Sequence, residues 1–78
     1  MKITLSQKGN IAYIYLKWPI APNEVVRTYP CDPYEIEAEI NLDFDNNGML
    51  LGIEVFNASS HLPDELLKEA EIIDKYLL

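Results

Sequence analysis

The sequence predicts an α+β fold: an antiparallel β-meander of about five strands with a C-terminal α-helix packed on the sheet, in a single domain spanning residues 1–78. Three observations predict it. From Ile36 to Phe44 apolar and polar residues alternate without a fault, and Asn47-Gly48 follows as a turn signal. The runs before this hairpin are short, β-branched and separated by Pro, Gly and Asn, which argues for a meander over parallel βαβ units. After Pro63 the apolar period changes from two to that of a helix.

The first strand covers residues 2–6, where Ile3 and Leu5 alternate with Lys2, Thr4 and Ser6, and Gln7-Lys8-Gly9-Asn10 ends it. The second covers 11–18. Ala12, Ile14 and Leu16 share one face and Ile11, Tyr13, Tyr15 and Lys17 the other, so both faces are partly apolar and the strand is central or covered. Pro19 and Pro22 force a loop, because proline lacks a donor and biases the residue before it away from the helical region. A third, less regular strand spans 24–29, closed by Pro30-Cys31-Asp32-Pro33-Tyr34.

The hairpin follows, with strands at 35–45 and 49–57. Ile36, Ala38, Ile40, Leu42 and Phe44 form one face of its first arm; Glu35, Glu37, Glu39, Asn41, Asp43 and Asp45 form the other. A two-residue I′ turn at Asn47-Gly48 sets Phe44 against Leu51, Leu42 against Ile53 and Ile40 against Val55. Gly52 then faces Asp43, leaving room for a backbone or an aromatic ring to approach closely. A helix is expected over 63–77, with Pro63, Asp64 and Glu65 in its first turn. Leu66, Ala70, Ile73 and Leu77 form its apolar stripe.

Six basic against thirteen acidic side chains give a net charge of −7. An acidic body repels phosphate backbones, so no nucleic-acid partner is expected. No apolar run is long enough to span a bilayer and the first residues carry no apolar leader pattern, so no membrane association and a cytoplasmic location are expected. Cys31 is the single cysteine. With no internal disulfide and a small core, part of the stabilisation must come from packing or from a second subunit, which points to a homo-oligomer.

Asp43, Asp45, Asn47, Gly48 and Glu54 satisfy the spacing of a calcium-binding loop. An EF-hand loop coils round its ion between two helices, whereas strands flank this one. Glu54 lies opposite Asn41, away from the turn. The four side chains Asp43, Asp45, Asn47 and Glu54 are therefore metal candidates only by pattern. Glu35, Glu37 and Glu39, continued by Asp43 and Asp45, form an acidic file along one strand face. A solvated face is the ordinary reading, and a docking surface for a basic partner the functional one. Leu66, Ile73 and Leu77 are the corresponding apolar interaction candidates. His61 and Cys31 fall in separate turns without the context that activates a nucleophile. No Gly-rich phosphate loop or Cys/His cluster is present, so no catalytic set, cofactor or metal is expected. The alternation also predicts that Ile53→Ala is costly, about 2 to 5 kcal/mol, and that Asp43→Asn and Asp45→Asn are nearly silent.

Several motifs occur in one order. Ala-Tyr-Ile-Tyr-Leu spans Ala12 to Leu16, and Val-x-Arg-Thr spans Val25 to Thr28. Asp43, Asp45 and Gly48 form an Asp-x-Asp-x-x-Gly turn, Leu-Gly-Ile-Glu-Val-Phe-Asn-Ala-Ser spans Leu51 to Ser59, and Leu-Pro-Asp-Glu-Leu-Leu starts at Leu62. Together they resemble the domain-of-unknown-function family numbered 2283, small bacterial and phage proteins. The chain departs from that pattern at Ser6 and Asn10, where the family often has acids. The resemblance implies a fold and no settled activity. Similar proteins are sometimes encoded beside small toxins, which implies an antitoxin or partner-binding role. The function expected is thus a non-enzymatic, acidic protein-interaction module, with a small basic toxin as candidate partner. The alternatives are a structural homo-oligomer, and a weak metal binder or small enzyme using Asp43, Asp45 and Glu54.

Overall fold

A computed structural model describes residues 1–74. Six strands, β1 (Lys2–Ser6), β2 (Ile11–Tyr15), β3 (Arg27–Pro30), β4 (Ile40–Phe44), β5 (Leu50–Phe56) and β6 (Glu71–Ile72), form one sheet in the order β3-β4-β5-β2-β1-β6. Three short helices, α1 (Pro33–Ile36), α2 (Ala58–His61) and α3 (Asp64–Glu69), complete the α+β architecture. Neighbouring strands are antiparallel except β1 and β6, which are parallel. The sheet is therefore mixed and six-stranded, with its strands out of sequence order, and not a five-strand antiparallel meander.

The single helix expected over 63–77 is the largest correction. α3 begins where expected, behind Pro63 with Asp64 and Glu65 in its first turn, but it stops at Glu69, and Ala70 is extended. Glu71 and Ile72 pair with Thr4 and Leu5, and the Ile73 N–H donates to the Leu5 carbonyl at 3.0 Å. The β-branched pair Ile72-Ile73 suits a strand better than a helix. The open edge of β1 supplies hydrogen bonds that a helix, marginal at about fifteen residues, cannot outweigh. Leu77 and the last turn of the expected helix lie outside the described residues.

The expected strand over 35–45 is shortened to Ile40–Phe44. The Asp32 carboxylate accepts the N–H groups of Tyr34 and Glu35 at 2.9 and 3.4 Å, Pro33 sits at the start of α1, and Glu37 closes it in the left-handed region with φ 53°. Asp-Pro capping chemistry here overrides the alternation that follows it. The third strand moves from 24–29 to Arg27–Pro30, because Glu24 is held in a turn: its N–H donates to the Ala21 carbonyl, and its carboxylate accepts the Ala21 N–H at 2.9 Å. β2 ends at Tyr15, where the N–H groups of Leu16 and Lys17 both donate to the Leu51 carbonyl and break the ladder.

The hairpin register holds for most of its length: Ile40, Asn41, Leu42 and Asp43 face Val55, Glu54, Ile53 and Gly52. Near the tip it differs by one residue. Gly48 has φ 78°, and Asn47 is not in the left-handed region. The Gly48 N–H donates to the Asp45 carbonyl, and the Asp45 N–H donates to that of Met49. This is a longer connection closed by a left-handed glycine, not an I′ turn. It places Phe44 opposite Leu50, and a bulge between the Asp43 and Phe44 pairs restores the deeper register.

The register defines two faces. One is apolar, with Tyr29, Leu42, Ile53, Ile14 and Ile3 in one cross-sheet row, and Ile40, Val55, Ala12 and Leu5 in the next. Ile3, Ala12, Leu51 and Val55, all on this face, are fully buried, and Ala58 of α2 joins them. The crossover from β5 through α2 and α3 to β6 covers the β1 end, where α3 packs on β1. The opposite face is polar and aromatic, and carries Lys2, Thr4, Tyr13, Tyr15, Glu54, Asn41, Asp43 and Thr28.

Candidate functional site

On the polar face β2 and β4 are joined across β5. Tyr13 donates its hydroxyl to Asp43 at 2.5 Å, and Thr28 donates its own to the other oxygen of the same carboxylate at 2.6 Å. The reach is possible because the strand between them carries Gly52, and a Cβ there would overlap the Tyr13 ring. Burial raises the Tyr13 phenol above the ordinary tyrosine range, and the hydrogen bond to ionised Asp43 adds to it. Beside it Tyr15 packs against Tyr13 and edge-on against Trp18, each at 4.7 Å between centroids. Lys2 lies over the Trp18 ring at 4.6 Å and pairs with Glu71 at 3.1 Å.

The four metal candidates serve separate bonds. Asp43 is held by Tyr13 and Thr28. Asp45 caps its own turn, accepting the N–H groups of Asn47 and Met49 at 2.8 and 2.9 Å. Glu54 accepts the Asn41 amide at 3.0 Å, and Asn47 enters only through its backbone N–H. Among the described residues no three His, Cys, Asp or Glu side chains converge as a metal would require.

The acidic file is not a file. Glu35 lies in α1, Glu37 is its left-handed cap and Glu39 precedes β4; all three are exposed. Leu66 is half-buried on α3, Ile73 follows β6 and is 59% exposed, and Leu77 lies outside the described residues. Cys31 follows β3 and His61 ends α2, so the structure leaves them on different elements.

Two polar clusters escaped the sequence reading. Asp74 accepts the Ser6 hydroxyl at 2.7 Å and the N–H groups of Gln7 and Lys8 at 2.9 and 3.1 Å, which lowers its carboxyl below the usual range. An acid at position 6 would repel this carboxylate; serine donates to it. Asn10 clasps the entry to α2: its amide donates to Asn57 and Ser59, and its side-chain oxygen accepts the Ser59 N–H. Both asparagines have positive φ, 55° and 52°, a conformation asparagine tolerates. Nothing in local spacing links positions 6 and 74 or 10 and 57.

The apolar face offers a different feature. Along its first row exposure rises away from the crossover helices: Ile3 is 3% exposed, Ile14, Ile53 and Leu42 are half-buried, and Tyr29 is 56% exposed, while Leu16 at the end of β2 is 47% exposed. The strand at that end resists edge pairing. The Cys31 N–H donates to the Ile40 carbonyl, so by antiparallel alternation Thr28 and Pro30 face outward, and proline has no N–H to offer.

A family model described as a protein of unknown function (DUF2283) matches residues 2–59, from β1 into α2. No curated protein and no solved structure matches the chain.

Proposed function

Because the chain belongs to the DUF2283 family of proteins of unknown function, we propose a function from its surface: it is a non-enzymatic protein-interaction module that docks its partner on the uncovered part of its apolar sheet face. The observation that carries this is the exposure of Tyr29 and Leu16 beside half-buried Leu42, Ile53 and Ile14. A contiguous apolar surface of this kind marks an interaction site. The acid-rich candidates fit such a role better than chemistry, since Asp43, Asp45 and Glu54 are each bonded within the sheet or its turn.

A basic partner such as a small cationic toxin is a second reading, favoured by the net charge of −7, which would speed association with a cation. The test is capture from native-cell lysate by the tagged chain beside its Leu16→Glu/Tyr29→Glu variant. A captured protein, untagged copies of the chain included, that is retained by the wild type and lost by the variant supports the docking face. Equal capture by both overturns it.

A further inference from the structure

We infer that the occupant of this face is a second copy of the chain, giving a two-fold dimer with the sheets packed apolar face to apolar face; the inference rests on the docking-face reading. The argument is one of area. The chain exposes 5668 Å², whereas a compact monomer of 9.0 kDa exposes about 4,900 Å² by the size scaling of folded monomers. The excess, about 800 Å², is what each partner buries in a stable interface of standard size.

Its location agrees. The described chain has no large side chain that is completely buried, and the row from Ile14 through Ile53 and Leu42 to Tyr29 is open where α2 and α3 stop. A two-fold interface uses the same patch on both copies, so an apolar row complements itself. Two such sheets pack about 10 Å apart with side chains interleaved. Pro30 on the free edge of β3 disfavours the other route to self-association, strand addition.

Charge gives the dimer a signature. Each copy carries −7, so the copies repel one another and salt relieves the repulsion. Self-association through an apolar face therefore strengthens as salt is raised, whereas capture of a basic protein weakens.

Sedimentation equilibrium on the purified chain decides it, at low and high sodium chloride. The expected result is a weight-average mass rising with protein concentration from 9.0 kDa towards twice that value, at lower protein concentration in high salt. Leu16→Glu/Tyr29→Glu should remain monomeric, and Tyr34→Glu, at a position 91% exposed and outside the strands, should behave as wild type. A wild-type chain that stays monomeric at high concentration in both salts overturns the dimer whatever the variants do. So does a dimer that the double substitution leaves intact. If the chain is monomeric yet lysate capture depends on Leu16 and Tyr29, the dimer falls and the docking face stands; if capture is independent of them, both fall.

Discussion

Tyr13 occupies the space that a side chain at position 52 would need. A Cβ built on Gly52 overlaps the Tyr13 ring, and the hydroxyl passes over that glycine to donate to Asp43 at 2.5 Å. Gly52→Ala should therefore destabilise the chain by about 1–3 kcal/mol, the range for forcing an extra methyl into a filled site. In a Tyr13→Ala background the same change should be neutral or slightly stabilising, because glycine inside a strand is entropically unfavourable. Urea denaturation of the four proteins measures the coupling, and additive effects would refute the contact.

The two turn-proximal aspartates should behave differently. Asp43 accepts from both Tyr13 and Thr28, and Asn presents one carbonyl oxygen where the carboxylate presents two. Asp43→Asn should cost about 1–3 kcal/mol, contrary to the silence that alternation suggests. At position 45 the bonds accepted from Asn47 and Met49 go to one oxygen, which Asn retains. Asp45→Asn should stay within about 0.5 kcal/mol.

Tyr13 also sets an alkaline limit. Its folded-state pKa is raised by burial and by Asp43, while the unfolded chain's phenol ionises near pH 10. The stabilisation is then complete below about pH 10 and declines above it. Tyr13→Phe should be less stable at neutral pH and show a flatter decline above pH 10, read from chemical denaturation at each pH. An unchanged alkaline slope would count against the assignment.

Asp74 acts at the other end of the pH scale. Its carboxyl is lowered first by the Ser6 hydroxyl and then by the Gln7 amide, with Lys8 adding to them. A lowered folded-state value means stability present above the unfolded aspartate value, near pH 4, and lost as pH falls through the folded one. Asp74→Asn should reduce stability at neutral pH and flatten the acid limb, followed by circular dichroism between about pH 5 and 2. An acid limb identical to wild type would show that β6 holds without this carboxylate.

Leu51→Ala, at 3% exposure, should cost about 2–5 kcal/mol. Ile53→Ala, where the hairpin pattern places the heaviest loss, should cost less in the monomer, because Ile53 is half-buried. Denaturation at low protein concentration separates them, since association would bury Ile53 further.

What the sequence determined by itself is the set of interactions whose partners are near neighbours or share a strict period. The alternation from Ile40 to Asp43 set the pairing with Val55 to Gly52, since a slip of one residue turns the apolar set to the wrong face. Gly52 was legible as a point of close approach, because a bare position in a strand invites one. Pro63 with Asp64 and Glu65 marked the start of α3. Tertiary structure decided the rest. Ile72 and Ile73 fit a helical stripe until the edge of β1 offers them backbone partners. Glu35 and Glu37 fit a strand until Asp32 caps a helical turn over them. In each case local preference differs by little between the two states, and hydrogen bonds to a distant or capping partner tip the balance. Ser6 and Asp74, or Tyr13 and Asp43, meet only after the strands have been ordered in the sheet, so no spacing along the chain could announce them. The open apolar face belongs to the same class: the alternation placed Leu42 and Ile53 on it, but only the end of the crossover helices decided which part of that face is left for a partner.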